Sequence, residues 1–314
     1  MIELNKIYNE DCLEGMKRIP DGSVDMILCD LPYGTIKGME LDGWKNQDTN
    51  WDNILDTELL FSEYERVLRT NGVALLFSQE PYTSHLRTFK SENFNFLYPM
   101  IWKKNHFANA LSSKKAPVSY FEDINVFSKK YDRQNLHPLR KYFKKVLNFI
   151  GCTAKKVNEV LGHRRAEHCF RYDTLQFTLP TFETYSELIK VFGIDKMAGF
   201  KPFDELQKIN RTFNRTFSLN GQKYISNVLE FKKDSQGFHP TQKPVALFEY
   251  LIKTYTNKGD IVLDNCMGSG TTAIACLNTE RNFIGFETNE EYYKKSLQRI
   301  KNNVTQLDLF EVEG

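Results

Sequence analysis

Two short apolar runs at opposite ends of the chain each lead straight into a carboxylate and then a turn. Residues 24–30 (Val-Asp-Met-Ile-Leu-Cys-Asp) run into Leu31-Pro32-Tyr33-Gly34. Residues 261–264 (Ile-Val-Leu-Asp) run into Asn265-Cys266-Met267-Gly268-Ser269-Gly270-Thr271-Thr272. Apolar runs of this length, bounded by turn residues, are the pattern of strands buried on both faces, as in a parallel sheet covered by helices. Open sheets of that kind bind ligands beyond the carboxyl ends of their strands. Both turns therefore fall where a site belongs.

The neighbouring segments fit the same sheet. Residues 57–68 are amphipathic and reach Asn71-Gly72, a helix-stop signal, before a second buried run at 73–77. Residues 98–102 and 124–127 read as two more strands. Beyond residue 235, a helix at 244–255 with Pro244 in its first turn precedes the strand at 261–264. A helix at 271–277, a strand at 283–287 and a helix at 289–300 follow. Strand–helix alternation predicts a doubly wound α/β sheet.

The middle breaks the pattern. From residue 131 to about 229 the chain is helical, aromatic and basic. Between Ser128 and Ser235 there are 21 Lys and Arg against 11 Asp and Glu, a net of +10; the rest has 21 against 29, a net of −8. The expected domains are therefore 1–130, an inserted basic domain at 131–235, and 236–314, with one sheet completed by both ends. A concentrated positive charge suits a phosphate-bearing partner, though a solvated basic face has the same composition. No run of about 18 apolar residues is present, and the start has no long apolar h-region, so neither a membrane span nor a secretory signal is expected. Six scattered cysteines without C-x-x-C spacing read as reduced thiols in a cytoplasmic protein, with no metal site. Cys152, His163, His168 and Cys169 match no standard zinc spacing.

The two turns carry the chemistry. The glycines of 268–270 allow a sharp bend and close approach of a ligand, and Glu287 ends the next strand, where a carboxylate can accept both hydroxyls of a ribose. The turn lacks the G-x-x-x-x-G-K-[ST] pattern of a nucleoside triphosphatase. At the other turn, Asp30 can accept a hydrogen bond from an exocyclic amine, the Leu31 carbonyl can accept a second, and Tyr33 can stack on a flat ring. Asp, Pro and Gly are also the usual residues of a plain strand-ending turn.

Together these elements resemble the amino-methylating DNA methyltransferases. Asp30-Leu31-Pro32-Tyr33 is similar to their D-P-P-Y catalytic motif, and residues 264–272 to their D-P-F-x-G-S-G-T-T cofactor motif. His239-Pro240-Thr241-Gln242-Lys243-Pro244 resembles the H-P-T-x-K-P element of the β class, and Asn9-Glu10-Asp11-Cys12 the N-terminal G-D-x-L element. The order, catalytic motif, basic insert, cofactor motif, is the circularly permuted order of that class. Two departures stand out. Leu31 replaces the first Pro of the catalytic motif, and Asn265-Cys266 replace Pro-Phe in the cofactor motif.

The resemblance implies a Rossmann-like, S-adenosylmethionine-dependent fold, circularly permuted, with a mainly helical DNA-recognition insert. It implies methyl transfer to adenine N6 in double-stranded DNA after base flipping, through Asp30, Leu31, Pro32 and Tyr33. Asp at the first catalytic position favours adenine; N4-cytosine and an inactive DNA-binding protein on the same fold are the alternatives. It assigns cofactor binding to Asp11, Cys12, Thr241, Lys243, Asp264, Gly268, Ser269, Gly270 and Glu287, with Asp11 at the adenine amine, Glu287 at the ribose, Gly268 and Gly270 against the methionine part, and Thr241 and Lys243 near the carboxylate. A second copy of the chain and a restriction endonuclease are partners that such enzymes allow.

Two further segments remain. Residues 34–52, with Trp44 and Trp51, form a long aperiodic loop that reads equally as a mobile cover over the site or as a packed surface loop. A polar stretch at 103–107 and 109–115 reads as a second loop between strands; the resemblance implies that this region approaches the target base. In the insert, residues 153–162 followed by 163–172 suggest helix-turn-helix, with Arg164, Arg165, His168 and Arg171 toward DNA; a generic helical hairpin fits as well. Phe170, Tyr172, Phe177 and Phe182 read as core.

Overall fold

The computed structural model describes residues 2–34, 53–108, 113–115, 117–129, 137–174, 176–234 and 242–312. Thr241, His239 and Pro240, the two tryptophans of the 34–52 loop and much of 109–116 lie outside the described residues. The chain divides into two compact units, Met1–Lys130 with Thr216–Gly314, and Tyr131–Arg215.

The first unit is an eight-stranded sheet. Its strands are β1 (Lys6–Tyr8), β2 (Val24–Asp30), β3 (Leu68–Ser78), β4 (Phe94–Ala108), β5 (Ser119–Lys129), β6 (Val228–Glu230), β7 (Ile261–Asp264) and β8 (Asn282–Phe286). Their order across the sheet is β1-β8-β7-β2-β3-β5-β4-β6. β1, β8, β7, β2 and β3 run parallel, β5 is antiparallel to both neighbours, and β6 runs parallel to β4. The two chain ends interleave: β1 pairs with β8, and β2 with β7. The α/β sheet expected from the strand–helix alternation is thus completed by both ends of the chain.

Alternation along the central strands explains why they are apolar throughout. In β3, Val73, Leu75 and Phe77 face one core, and Ala74 and Leu76 the other. The first core is covered by α8 (Val245–Tyr255) through Leu247, Phe248, Leu251 and Ile252, and by α9 (Thr271–Asn278) through Ala273, Ala275 and Cys276. The second lies under α1 (Cys12–Met16), α2 (Thr57–Val67) and α3 (Tyr82–Thr88), through Cys12, Met16, Leu60, Phe61, Tyr64 and Leu86. Each large side chain fully buried there is worth about 1.5–3 kcal/mol. Asp56 starts α2 by accepting from the N–H groups of Glu58 and Leu59, each at 3.0 Å. The final helix, α10, is Glu290–Val312.

Several boundaries differ from the sequence expectation: β4 and β5 extend well beyond 98–102 and 124–127, α10 runs past 300 to Val312, and three further differences have a plain physical reason. Asn71-Gly72 does not end α2. The helix stops at Val67, and Asn71, at a φ of 64°, bends the chain within β3. The polar stretch at 103–107 is strand, not loop, because Lys103 and Lys104 find acidic partners on neighbouring strands. Residues 216–234, assigned to the insert by their charge, group with the sheet, where β6 extends its edge.

The second unit holds α4 (Leu139–Ile150), α5 (Ala154–Leu161), α6 (Phe182–Phe192) and α7 (Phe203–Phe213) around its own core of Phe143, Val146, Val157, Cys169, Tyr185 and Leu188. Thr153 caps α5, and Gly162, at a φ of 76°, ends it. Phe170 and Phe177 join this core as expected, but Phe182 is 60% exposed. No helix among the described residues is long and apolar enough to cross a membrane.

Candidate active site

The register places both carboxylate-bearing turns on one edge of the sheet. Met26 and Ile27 lie beside Val262 and Leu263, so Asp30 and Asp264 end adjacent parallel strands. Val262 and Leu263 lie in turn beside Phe283 and Ile284, which brings the end of β8, and Glu287 just after it, to the same edge. Asp30, Pro32, Tyr33, Cys266, Gly268 and Glu287 are all partly exposed on that edge, while Leu31 is buried. The Leu31 side chain thus packs into the core, which anchors the turn where a proline would otherwise stiffen it.

Glu287 is braced by backbone. Its Oε2 accepts from the Gly268 N–H at 2.8 Å and its Oε1 from the Asn289 N–H at 2.8 Å. Each carboxylate oxygen has a second lone pair, so the group retains capacity for two more donors. Burial is the main cause that pushes its carboxyl up, against those backbone donors. Asn9 ties the end of β1 to this corner by donating to the carbonyls of Glu287 (2.7 Å) and Thr288 (3.2 Å).

The glycine turn is fixed from below. Asp264 accepts from the Cys266 N–H at 3.0 Å and from the Thr272 hydroxyl, and burial pushes its carboxyl up to about 7. Its buried side chain thus anchors the turn that the sequence reading gives to the cofactor. Gly268 and Gly270 have φ of 51° and 76°, a region that side chains disfavour. Arg299 of α10 grips the turn, donating to the Ser269 carbonyl (3.0 Å) and to the Thr271 hydroxyl (3.1 Å). Sequence reasoning missed Arg299, which carries no motif and lies 30 residues on. Asn265 accepts from the Tyr64 hydroxyl at 2.5 Å, a contact between the two halves of the chain.

Asp11 caps α1, accepting from the N–H groups of Leu13 (2.8 Å) and Glu14 (3.2 Å) on one oxygen, and Cys12 is buried behind it.

The Asp30 carboxylate is held at both oxygens. Oδ1 accepts from the Tyr33 hydroxyl at 2.5 Å, and Oδ2 pairs with the Lys243 ammonium. The sequence reading sets Lys243 near the cofactor carboxylate; in the structure its charged partners are Asp30 and Glu122. The ammonium is buried, points at Asp30, and also meets Glu122 at 3.1 Å. Burial pushes the Asp30 carboxyl up, and the Lys243 charge opposes that rise. Glu122 and Lys104, themselves paired, were not legible as site residues.

In the second unit the expected recognition helix is absent. Residues 163–172 form turns and one short 3-10 segment, His168–Phe170. Glu167 draws in both Arg164 (2.6 Å) and Arg171, and Glu187 takes Arg165 (3.1 Å) and His163 (2.7 Å). The Gly162 stop and these ion pairs replace a helix with a folded turn. His168 turns to the Gln176 carbonyl and Cys169 to that of Ala166, so with His163 on Glu187 three of the four residues considered for zinc have separate partners.

The comparisons agree with this architecture. The DNA methylase (N6_N4_Mtase) family profile matches residues 24–298. The DNA adenine methyltransferase YhdJ of Escherichia coli K12 is 27% identical over 305 residues, 95% of this chain and 83% of that protein. Among solved structures, the M1.HpyAVI–SAM complex has a TM-score of 0.50 at 23% identity, covering 94% of this chain and 98% of the other. The cytosine-N4-specific PvuII DNA methyltransferase has a TM-score of 0.52 at 13% identity, covering 96% and 91%. With the family profile spanning both halves of the sheet and the insert between them, the chain belongs to the N6/N4 DNA methylase family.

Proposed function

We propose that this DNA methyltransferase transfers the methyl group of S-adenosylmethionine to adenine N6 at a specific site in double-stranded DNA. The observation that carries the reading is the partly exposed Asp30 carboxylate on the same sheet edge as the braced Glu287. The adenine assignment is supported by Asp at the first catalytic position and by the similarity to an enzyme named for adenine.

The residues fit the cofactor. Glu287 keeps acceptor capacity for ribose hydroxyls, Gly268 presents backbone without a side chain at a φ of 51°, and Asp11 stands near the end of β1 for the adenine. S-adenosylmethionine, when bound, supplies an electrophilic methyl on a sulfonium. Everything else falls to the chain. Adenine N6 is a weak nucleophile because its lone pair is delocalised into the ring. The Asp30 carboxylate and the Leu31 carbonyl accept the two amine hydrogens and so aim the lone pair. Tyr33, hydrogen-bonded to Asp30 through its hydroxyl, offers a ring face to a base that has been flipped from the duplex. Positioning of this kind accounts for most of the rate such a site can supply.

DNA phosphates are best met by α4. Lys141, Lys144 and Lys145 are exposed at helical spacing, and the helix contains no acid. The arginines of 164–171 carry their own counter-charges. In this reading the unit at 131–215 is the recognition domain, and a matching endonuclease would cut the same sequence unmethylated.

The test is expression in a host that lacks DNA methylation, followed by sequencing of its DNA for modified bases. N6-methyladenine in one sequence context is expected, lost with Asp30→Asn while that variant binds cofactor as the wild type does. N4-methylcytosine would overturn the adenine assignment, and full modification by Asp30→Asn would overturn the catalytic one.

A further inference from the structure

Behind Asp30 lies a chain of alternating charge that the sequence motifs do not account for. Lys243 bridges Asp30 and Glu122, and the other Glu122 oxygen pairs with Lys104. The side chains of Lys243, Glu122 and Lys104 are only 4%, 8% and 4% exposed. Glu122 on β5 sits opposite Trp102 on β4, and Lys104, two residues on from Trp102, shares its face of the strand. Trp102 is fully buried, donates to the Phe231 carbonyl at 2.9 Å and lies beneath the Lys104 ammonium, 5.4 Å from it. Lys243 also lies 5.5 Å from the Phe77 ring. Three buried charges do not help folding by themselves, since apolar side chains of the same volume pack at least as well. Their arrangement points to the one member that reaches the surface, Asp30.

We propose that Glu122 and Lys104 are positioning residues for methyl transfer, acting through Lys243 to set the direction and charge of the Asp30 carboxylate. Glu122 takes one side of the ammonium, so Lys243 cannot swing away from the strand end. Lys104 neutralises Glu122, so the cluster closes with two charges of each sign. The proposal rests on Asp30 as the acceptor of the target amine.

The electrostatics give the sign of the test. Among the described residues, Asp30 is faced by Lys243 ahead of α8, Glu122 on β5, Tyr33 in its own turn, Cys29 on β2, and Asp264 and Cys266 at the end of β7. The exposed Lys233, after β6, reaches the far side of the cluster. Burial raises the Asp30 carboxyl, Lys243 lowers it, and Glu122 raises it again. Removing the Glu122 charge therefore makes Asp30 a weaker base.

The experiment is a pH profile of kcat/KM with Glu122→Gln, beside cofactor affinity and Asp30→Asn as reference. The acid limb should move down by about one pH unit, the scale of one close charge. kcat should fall at least tenfold while the KM for DNA and the affinity for S-adenosylmethionine stay near wild type. The double variant Glu122→Gln/Lys104→Gln removes one charge of each sign. It should melt near the wild type and still show a lowered acid limb, which keeps the test open if the single variant fails to fold. An acid limb at its wild-type position in the folded variant, with Asp30→Asn inactive, overturns the proposal. An active Asp30→Asn overturns instead the assignment on which it rests.

Discussion

Replacing Lys141, Lys144 and Lys145 together by Gln should remove most of the salt dependence of DNA binding that the insert supplies. All three are exposed on α4, within two turns of one another, and no ion pair engages them among the described residues. The other face of α4 holds Leu139, Phe143 and Val146 in the core, so the substitutions leave that core in place and give up only the Lys144 ammonium over the Tyr172 ring, 5.7 Å away. Removing one phosphate contact takes about 0.9 from the slope of log affinity against log salt, so removing three takes about 2.7. Between 50 and 200 mM salt the wild type should lose affinity by about 40-fold more than the variant. Arg164→Ala/Arg165→Ala is the matched control. Those guanidinium groups already face Glu167 and Glu187, so the slope should change little. Fluorescence anisotropy on a labelled duplex, titrated at several salt concentrations, measures both. If the lysine variant keeps the wild-type slope while the arginine variant flattens by about two, the turn at 163–172 is the phosphate surface and the argument from neutralised charge is wrong.

Three other outcomes follow from the cofactor edge. Glu287→Ala should weaken S-adenosylmethionine by about 1.5–3 kcal/mol, the scale of hydrogen bonds to a charged group; unchanged affinity by calorimetry would remove Glu287 from the site. Gly270→Ala places a Cβ 3.1 Å from that of Ser296 on a backbone at φ 76°. Denaturant titration should show a loss of about 1–2 kcal/mol, and an unmoved midpoint would contradict the strain. Asp264 has its carboxyl raised from the ordinary 3.8 to about 7, mainly by burial, so the folded chain holds a proton that the unfolded chain releases. Its contribution is complete below pH 4 and is lost as pH rises toward 7. Thermal melts of Asp264→Asn should lack that part of the decline, and a wild-type slope in the variant would refute the assignment.

The parallel core was legible because strands buried on both faces must be apolar throughout, as 24–29 and 73–77 are. Helices α8 and α9 were equally plain, and so was the start of α10, although that helix runs on to Val312 rather than ending near 300. The site was legible as far as it is local: Asp30, Gly268 and Glu287 owe their positions to strand ends and need nothing distant to place them. What failed was whatever depends on a partner remote in sequence. Lys103 and Lys104 look like loop residues until Glu230 and Glu122 are set beside them by the sheet. Lys243 looks like a free cation until β5 supplies Glu122. The 163–172 segment has the composition of a basic helix, but Glu167 and Glu187 satisfy its charges in a turn. Periodicity reports one face of one element, and says nothing of which counter-charge the fold will bring to it.

The departures in the cofactor motif have a structural counterpart. A Pro-Phe pair would stiffen the turn after β7 by its own backbone and ring. Asn265 and Cys266 cannot, and the chain holds the turn by contacts from elsewhere. The Tyr64 hydroxyl on α2 reaches the Asn265 carbonyl oxygen, the Asn265 amide nitrogen lies 3.8 Å from the Cys12 sulfur on α1, and Arg299 on α10 binds the Ser269 carbonyl. Rigidity that is usually local is thus borrowed from three helices, two of them in the half of the chain that carries Asp30. The turn after β7 and the turn after β2 then share a foundation. α1 and α2 pack on the same core as Ile27 and Cys29 of β2 and Leu263 of β7. In a permuted chain this coupling matters more than in a contiguous one, because the two turns meet only when strands from opposite ends have paired. Asn265 ties the turn after β7 to α2 by a side-chain bond as well as through the β2–β7 ladder, so the link between that turn and the first half of the chain does not depend on backbone pairing alone.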